Sequence, residues 1–426
     1  MNVTKSQCPY CGVGCGLKMR PKNSVSDDKW LVSGDRDTPS TLGKLCVKGA
    51  TVCETLKDGR LKEPLYRKNL NEEFKKISWD ESYEILKENI LSSIKNYGPD
   101  SIAMYGSGQF HTEDYYIAQK LLKGAIGTNN FDANSRLCMS SAVAGYNRSF
   151  GSDGPPCCYE DIDHCSSIFL IGTNTAECHP VLFDRIKKRK RNVNDNLKVI
   201  VIDPRETETA SIADFYLQIA SGTDLFLFIG IANYLFNNEL TEQNFIEKST
   251  ENYDHFVKHI QKWDLKKISE ICNISKQEII DIAKLWGESK NVLSLWSMGL
   301  NQRQEGTAAV NGLINLHLMT GQVGKKGAGP FSLTGQPNAM GGREAGGLSH
   351  LLPGYRFIKN KIDRNEIEKI WGFPIGKISE KQGLSAWEQI EAINEGTLKI
   401  WWIAATNPLV SMPNLNFVKK ALSKCP

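Results

Sequence analysis

The chain has 426 residues, of which 40% are hydrophobic, enough for large cores in roughly two to four domains. Its 52 basic and 48 acidic residues leave a net charge of +4, too small to indicate a nucleic-acid-binding protein. No run of about twenty apolar residues occurs, so we expect no membrane span.

The first ten residues, MNVTKSQCPY, contain no apolar stretch and no pair of arginines. Cys8 comes too early for a removable secretion leader to precede it. We therefore expect a cytoplasmic protein, in which most of the scattered cysteines stay reduced.

Four cysteines near the N-terminus have the spacing C-x2-C-x3-C-x30-C. They are Cys8, Cys11, Cys15 and Cys46. Glycines interleave the first three, in CPYCGVGCG, so several sulfurs can point at one centre. Four thiolates suit a structural zinc ion or an iron–sulfur cluster. Zinc sites usually have two C-x2-C pairs and only one is present, so the spacing favours a [4Fe–4S] cluster.

Beyond residue 60, short apolar runs alternate with amphipathic stretches, which predicts an α/β fold with parallel sheets and crossover helices. Five runs lead directly into small polar residues. They are Ser101–Tyr105, Ser167–Ile171, Lys198–Ile202, Asn291–Trp296 and Leu398–Ala404. Ligands of open α/β sheets bind outside the carboxyl ends of the strands, so five such loops indicate an elongated cofactor with phosphates.

Two further segments have unusual composition. The basic run from Arg185 to Arg191 predicts the solvated end of a helix, or alternatively a docking patch for an acidic electron donor. The glycine-rich block Gly321–Gly347 predicts a cofactor-site loop, because backbone that passes close to a bulky ligand requires glycine. Neither G-x-G-x-x-G after an early strand nor G-x-x-x-x-G-K-[ST] occurs, so ordinary NAD and P-loop sites are disfavoured.

Three motifs carry a family resemblance: CPYCGVGCG, DANSRLCMSSAVAGY and GQPNAMGGREAGGL. The chain resembles the molybdopterin oxidoreductases of the dimethyl-sulfoxide-reductase superfamily, and among them the bacterial assimilatory nitrate reductases. The resemblance implies a small iron–sulfur domain over 1–56 and two doubly wound parallel-sheet domains, one from 57–137 with 336–426 and one over 138–335. It also implies a C-terminal β-barrel-like domain, which we expect to be absent because the sequence ends within a helix begun at Asn416.

The resemblance also implies the metal centres. The four N-terminal cysteines match the [4Fe–4S] ligands, and Lys48 matches a lysine between cluster and pterin. Cys138 matches the ligand of a molybdenum held by two molybdopterin guanine dinucleotides. A soft thiolate suits a metal that dithiolenes already bind.

Further residues match contacts to the pterin dinucleotides. They are Gln109, Asn134, Gly172, Asn174, Glu177, Cys178, Asp203, Arg205, Asp224, Met298, Gln302 and Asn407. Asp224 matches a residue that reads the guanine edge, where a carboxylate accepts two N–H bonds. Arg343 matches a position near the substrate funnel, where a guanidinium would orient a planar oxyanion.

The resemblance implies reduction of nitrate to nitrite, with Cys138, Arg343 and Lys48 as the residues nearest the chemistry. Met139 follows Cys138 as in nitrate reductases, whereas formate dehydrogenases of the superfamily have a histidine there. A formate-dehydrogenase-like enzyme and a non-catalytic iron–sulfur relay subunit remain alternatives. The expected partners are nitrate and an electron donor, which is ferredoxin, flavodoxin or an NADH-linked subunit, with no nucleic acid and no membrane.

Overall fold

A computed structural model describes residues 3–22, 30–56, 59–192 and 194–425. The strands are β1 Thr4–Gln7, β2 Gly16–Pro21, β3 Trp30–Gly34, β4 Leu65–Tyr66, β5 Lys75–Lys76, β6 Ile102–Gly106, β7 Phe131–Ala133, β8 Ser167–Ile171, β9 Lys198–Ile202, β10 Phe215–Leu217, β11 Val292–Trp296, β12 Gly329–Ser332, β13 Leu351–Leu352, β14 Arg356–Phe357 and β15 Ile400–Ile403.

The α-helices are α1 Val47–Ala50, α2 Trp79–Tyr97, α3 Thr112–Gln119, α4 Ser135–Cys138, α5 Ser140–Phe150, α6 Thr175–Cys178, α7 Pro180–Arg191, α8 Asp224–Asn237, α9 Gln243–Ser249, α10 Tyr253–Ile260, α11 Leu265–Cys272, α12 Lys276–Glu288, α13 Met298–Asn301, α14 Gly306–Met319, α15 Ala339–Glu344, α16 Lys361–Trp371, α17 Ala386–Glu395, α18 Pro408–Ser411 and α19 Leu415–Leu422. Lys120–Ile126 is a π-helix, and Val52–Leu56, Pro99–Ser101, Tyr159–Asp163 and Glu208–Ile212 are 3₁₀-helices.

The chain forms two compact units. Unit 1 contains Met1–Arg20, Val32–Ala50 and Cys138–Gly335, and unit 2 contains Pro21–Leu31, Thr51–Leu137 and Gln336–Pro426. Unit 1 thus includes most of the cysteine-bearing N-terminal segment. The three-domain division expected from the resemblance stays a prediction.

Unit 1 is built on a parallel sheet with the strand order β10-β9-β8-β11-β12. Every residue of β8 and β11 is buried, because helices cover both faces of a parallel sheet. Their apolar sequences, SIFLI and VLSLW, meet that requirement. The largest core packs α8, α12 and α14 around buried residues such as Phe169, Trp286 and Leu313.

Unit 2 is built on a smaller parallel sheet with the order β15-β6-β7. Strand β6 lies in the middle and is fully buried. Ala103 and Tyr105 contribute to one core cluster, and Ile102 and Met104 contribute to another, as the alternation of side chains along a strand requires.

The α/β class is confirmed, and so are the five predicted strands, which are β6, β8, β9, β11 and β15 within a few residues at their ends. The predicted C-terminal helix is α19. The glycine-rich block is not one continuous loop, which corrects the prediction: it contains β12 and α15, and Gly335 and Gln336 fall in different units. The high glycine content of this block therefore indicates close packing of the backbone as well as turns.

The basic run forms the end of α7, as predicted, but it is only partly solvated. Arg185 pairs with Asp163, Arg189 with Asp195 and Lys190 with Asp214. All three cations are half-buried because their partners lie on neighbouring segments.

Candidate functional site

The first three cysteines lie in and beside the turn that joins β1 to β2. Gln7 pairs with Gly16 at the base of this hairpin, and the Cys8 N–H donates to the Cys15 carbonyl at 2.8 Å. Gly14 has a φ of +66°, a conformation that glycine adopts without strain. The hairpin thus closes residues 8–15 into a tight loop that carries three thiols.

The fourth cysteine comes from the segment that begins α1. The Ala50 N–H donates to the Cys46 carbonyl at 2.9 Å. A Cβ placed on Gly49 would lie 3.6 Å from the Cys8 sulfur, so this turn packs directly on the cysteine loop. The fold therefore brings the distant cysteine to the other three.

Burial dominates the electrostatics of these thiols. It raises the pKa of Cys8 and Cys11, and with the neighbouring sulfur charges it raises the pKa of Cys15 to about 12. Lys48 acts in the opposite direction, lowering the pKa of Cys11. Buried thiolates need a cationic partner, which a metal centre supplies. Among the described residues, no three His, Cys, Asp or Glu side chains are placed to hold a single metal ion.

Cys138 is the last residue of α4, belongs to unit 1, and lies beside two residues of α13. Its sulfur is 3.5 Å from the Met298 sulfur, and its carbonyl accepts a 2.8 Å hydrogen bond from the Asn301 amide nitrogen. Met139 is buried in the core, which fixes the chain just after Cys138. Two sequence-predicted residues, Cys138 and Met298, are thus brought into contact.

Asn301 and Arg303 were not predicted from the sequence. Asn301 is 1% exposed, and its Oδ1 atom has no hydrogen-bond partner among the described residues. The buried Nε of Arg303 likewise has no hydrogen-bond partner among the described residues, whereas its Nη1 pairs with Asp224 at 2.5 Å. Burial raises the pKa of Asp224, and Arg303 opposes that effect. The only sequence signal was their position just after Met298.

The loops that follow β8 and β11 approach each other at two glycines. The Gly299 N–H donates to the Gly172 carbonyl at 3.0 Å, and the Gly172 N–H donates to Ile202 of β9 at 2.9 Å. Gly172 has a φ of +54°, and a Cβ on Gly299 would lie 2.6 Å from the Gly172 oxygen. The carboxyl ends of three strands therefore meet without intervening side chains.

Polar residues extend from this edge of the sheet. Asn174 donates to Glu177 at 2.8 Å and accepts from the Thr209 hydroxyl at 3.0 Å, whereas Glu177 and Cys178 are exposed. Asp203 accepts from the Arg205 N–H at 2.9 Å. Arg205 and Gln302 are exposed. These side chains lie at the strand ends, where the sequence places them.

His179 was also missed as a candidate. It is 1% exposed, its Nε2 lies 2.9 Å from the Thr334 carbonyl, and its Nδ1 has no partner among the described residues. Burial lowers its pKa, so the ring is neutral at pH 7. Unpaired buried polar atoms are rare in folded proteins. The unpaired atoms of Asn301, Arg303 and His179 are consistent with a polar ligand that binds at the strand ends of unit 1 and would pair with them.

Unit 2 holds the other predicted contacts. Asn134 follows β7 and links the neighbouring loops: Oδ1 accepts from the Gly108 N–H at 3.0 Å, and Nδ2 lies 3.3 Å from the Thr406 hydroxyl. Gln109 and Asn407 are exposed on these two loops. Asn407 accepts from the Leu409 N–H at 3.0 Å and begins α18.

Arg343 lies on α15 and is 6% exposed, with Nη1 3.3 Å from the Ala339 carbonyl. Its charge acts on the neighbouring Tyr115, whose hydroxyl donates to the Ser107 carbonyl after β6. A Cβ on Gly108 would lie 2.2 Å from the buried Gln336 Oε1, which has no hydrogen-bond partner in the described part of the chain. Tyr115 therefore lies between the charge of Arg343 and the loop that carries Gln109.

Comparisons with known proteins identify the same protein family in the N-terminal segment and in the rest of the chain. A sequence model described as molybdopterin oxidoreductase matches residues 60–426, and one described as the molybdopterin oxidoreductase Fe4S4 domain matches residues 1–58. A nitrate reductase from Synechocystis sp. is 52% identical over 99% of this chain, and a periplasmic nitrate reductase from Desulfovibrio desulfuricans is 43% identical over 98%.

An assimilatory nitrate reductase catalytic subunit from Bacillus subtilis is 36% identical over 98% of the chain. The chain spans between 56% and 60% of the length of these relatives. Among solved structures, acetylene hydratase from Pelobacter acetylenicus matches with a TM-score of 0.77 and 19% identity, over 99% of this chain and 59% of that one. At this identity the likeness concerns the fold.

Proposed function

Because the chain belongs to the molybdopterin oxidoreductase family, we propose that the protein containing it is a molybdenum-dependent nitrate reductase that forms nitrite. The observation that carries the proposal is the contact of Cys138 with Met298 at the strand ends of unit 1, beside buried polar atoms that have no partner among the residues the structure describes. The relatives named nitrate reductase supply the substrate class.

Cys8, Cys11, Cys15 and Cys46 would hold a [4Fe–4S] cluster. Burial raises the pKa of Cys8, Cys11 and Cys15, so these thiols need a metal to become thiolates. The turn that begins at Cys46 packs on their loop. Lys48 would place its positive charge beside the cluster, where it already acts on Cys11.

Cys138 would ligate molybdenum, and the loops at the strand ends would hold molybdopterin in its guanine dinucleotide form. Gly172 and Gly299 let the loops after β8 and β11 pack directly on each other, which side chains would prevent, and so shape the strand ends that would meet the cofactor. Asp224, which pairs with Arg303, would accept N–H groups of guanine. Gln109, Asn134 and Asn407 of unit 2 would donate amide hydrogen bonds to the cofactor.

When bound, the molybdenum cofactor supplies two-electron oxygen-atom transfer. The protein's own part is to bind and orient nitrate and to stabilise charge that moves during the reaction. Arg343 would donate to the planar oxyanion with two parallel N–H groups, the geometry that a guanidinium fits best.

We further propose that the reaction serves nitrate assimilation in the cytoplasm, with a separate electron-donor protein. The relative named assimilatory nitrate reductase supports this proposal. The relative named periplasmic nitrate reductase supports the alternative, a periplasmic enzyme. Every helix in the described part of the chain is too short or too polar to cross a lipid bilayer.

The test is a holoenzyme with Cys138→Ser, assayed with reduced methyl viologen and nitrate. Loss of the molybdenum thiolate should lower nitrite formation at least a thousandfold while the iron content and the electron paramagnetic resonance signal of the cluster persist. Cys158→Ser is the matched control, because Cys158 is exposed and is not among the predicted metal ligands.

A Cys138→Ser enzyme that still reduced nitrate would exclude the assigned ligand. Formate oxidation by the wild type without nitrate reduction would favour the formate-dehydrogenase-like alternative, and a purified holoprotein without molybdenum would favour the electron-relay alternative.

A further inference from the structure

Gly12 lies in the cysteine loop between Cys11 and Cys15, and both of its backbone polar groups bond to a distant part of unit 1. Its N–H donates to the Gly335 carbonyl at 3.0 Å. Its carbonyl accepts a 2.7 Å hydrogen bond from the Tyr159 hydroxyl. A side chain 147 residues further along the chain therefore contacts the backbone of the loop that carries three of the predicted cluster ligands.

The peptide group that Tyr159 contacts also acts on one of those ligands. The Gly12 carbonyl and the Val13 N–H belong to one peptide unit, and the Val13 N–H hydrogen-bonds to the Cys11 sulfur. Burial raises the pKa of the Cys11 thiol, whereas this hydrogen bond lowers it. Val13 is 1% exposed, so packing fixes the residue that donates. The Tyr159 hydroxyl, the peptide and the Cys11 sulfur thus form a chain of two hydrogen bonds.

The Tyr159 side chain is held on two sides. Its ring packs against Phe331 of β12, with the ring centroids 5.7 Å apart. Tyr159 also begins a 3₁₀-helix that Asp161 anchors, because the Asp161 carboxylate accepts from the Cys158 N–H at 2.8 Å and from the Gly327 N–H at 2.7 Å. The hydroxyl is therefore oriented toward the cysteine loop by the packing of unit 1.

Two physical effects connect this hydroxyl to the electronic properties of a cluster. A hydrogen bond to the oxygen of an amide polarises the amide, which strengthens the bond that its N–H donates. Hydrogen bonds to the sulfurs are among the features that set the reduction potential of an iron–sulfur cluster. An N–H dipole aimed at a sulfur stabilises added negative charge. A stronger bond from the Val13 N–H should therefore favour the reduced state.

We propose that Tyr159 is a positioning residue that raises the reduction potential of the cluster by polarising the Gly12–Val13 peptide toward the Cys11 sulfur. The proposal rests on the proposed function, in which Cys11 is a cluster ligand, and deepens it by naming a residue outside the cysteine motif that acts on that ligand. In the alternative, the hydroxyl only fastens the cysteine loop to the rest of unit 1.

The test is the holoenzyme with Tyr159→Phe, which keeps the ring on Phe331 and removes the hydroxyl. Dithionite supplies one electron to the cluster in a mediated redox titration, followed by electron paramagnetic resonance. We expect the equilibrium constant for reduction to fall about threefold to tenfold, and a tenfold fall corresponds to about 59 mV. The iron content should equal that of the wild type.

Tyr146→Phe is the matched control. It also removes a buried tyrosine hydroxyl that bonds to backbone groups, but these belong to β12 and not to the cysteine loop: the hydroxyl donates to the Pro330 carbonyl at 3.3 Å and accepts from the Ser332 N–H at 2.9 Å. The potential of the cluster should stay at the wild-type value in this protein.

A third protein separates hydrogen bonding from packing. Incorporation of 3-fluorotyrosine at position 159 alone keeps the hydroxyl and makes it more acidic, so that it donates a stronger hydrogen bond to the Gly12 carbonyl. We expect its cluster potential to lie above that of the wild type. Phenylalanine, tyrosine and 3-fluorotyrosine at this position should therefore give a rising series of potentials.

An unchanged potential in Tyr159→Phe, or an equal fall in Tyr146→Phe, would overturn the proposal. Loss of iron from Tyr159→Phe, together with a wild-type potential in the 3-fluorotyrosine protein, would also overturn it and assign the hydroxyl a structural role. Failure of the proposed function gives a different result: the potentials follow the rising series, yet the wild type forms no nitrite from nitrate with reduced methyl viologen.

Discussion

Asn301 donates through its amide nitrogen to the Cys138 carbonyl, which leaves its buried Oδ1 without a partner among the described residues. Leaving such an acceptor unpaired costs about 1–3 kcal/mol. Arg303, two residues later, has a buried Nε that likewise finds no partner in the described ranges. Two costs of this kind in one short segment are consistent with a ligand that satisfies both atoms, so Asn301 and Arg303 join the residues proposed to face the cofactor.

His317 is a residue whose protonation should govern acid stability. It is fully buried, its Nε2 lies 2.6 Å from the Ser294 hydroxyl, and burial lowers its pKa to about 3. Between pH 6.5 and 3 the unfolded chain therefore binds a proton that the folded chain does not bind. Its contribution to stability is complete above pH 6.5 and declines as the pH falls through this window.

We expect the wild type to lose about 2 kcal/mol more stability than His317→Gln between pH 6.5 and pH 5, because the unfolded histidine takes up its proton in that range. The measurement is the apparent melting temperature of each protein across this range. His259→Gln, an exposed histidine on α10, is the control and should follow the wild type. Parallel pH profiles of wild type and His317→Gln would refute this assignment.

At the scale of elements, Lys123 joins the π-helical segment Lys120–Ile126 to the chain that follows α15. The ammonium is fully buried and donates to the carbonyls of Gly346, Leu348 and Leu351 at 2.9, 2.9 and 2.6 Å. Burial lowers its pKa to about 7. One side chain thus satisfies three carbonyls of a segment that begins three residues after Arg343.

Lys123→Met should lower the free energy of unfolding by roughly 2–5 kcal/mol, because three buried carbonyls lose their donor. Hydrogen exchange should accelerate in residues 346–351 as the segment loosens. Lys120→Met changes an exposed lysine of the same π-helix and should stay within about 0.5 kcal/mol of the wild type. Unchanged exchange in 346–351 would mean that the segment is held by other contacts.

The contact between the β8 and β11 loops makes a second prediction at this scale. Gly299→Ala would place a Cβ 2.6 Å from the Gly172 oxygen, so the two loops must separate. We expect the molybdenum content of the purified holoenzyme to fall severalfold while its iron content is retained. Gly335→Ala, where a Cβ meets nothing within 4 Å, should keep both metals. Equal molybdenum in both variants would show that the cofactor tolerates the separation.

Elements with long apolar runs were predictable from the sequence, and short ones were not. Strands β8 and β9 each begin one polar residue before a run of four apolar residues and end where that run ends. Strands β7 and β10 have only three residues each, too few to show a period. They exist because a neighbouring strand pairs with them, and pairing depends on tertiary structure. The same reason explains β12 inside a glycine-rich block.

For the molecule as a whole, the predicted site residues divide between the two units. Unit 1 carries the four N-terminal cysteines, Lys48 and Cys138, and unit 2 carries Gln109, Asn134, Arg343 and Asn407. These residues could be predicted from the sequence because each lies in a recognisable motif. Asn301, Arg303 and His179 could not be recognised in that way, since their unpaired atoms are defined only by what the fold leaves around them.

This division predicts that electron transfer and substrate binding can be altered separately. Lys48→Gln removes a charge beside Cys11 in unit 1, so reoxidation of the reduced cluster by nitrate should slow at least tenfold in stopped-flow measurements, with the KM for nitrate unchanged. Arg343→Gln in unit 2 removes a charge-assisted hydrogen bond of about 1.5–3 kcal/mol, so the KM for nitrate should rise roughly tenfold to a hundredfold. Arg343→Lys keeps the charge and should recover part of that loss. If Lys48→Gln raised the KM for nitrate as much as Arg343→Gln does, the two units would not have the separate roles assigned to them.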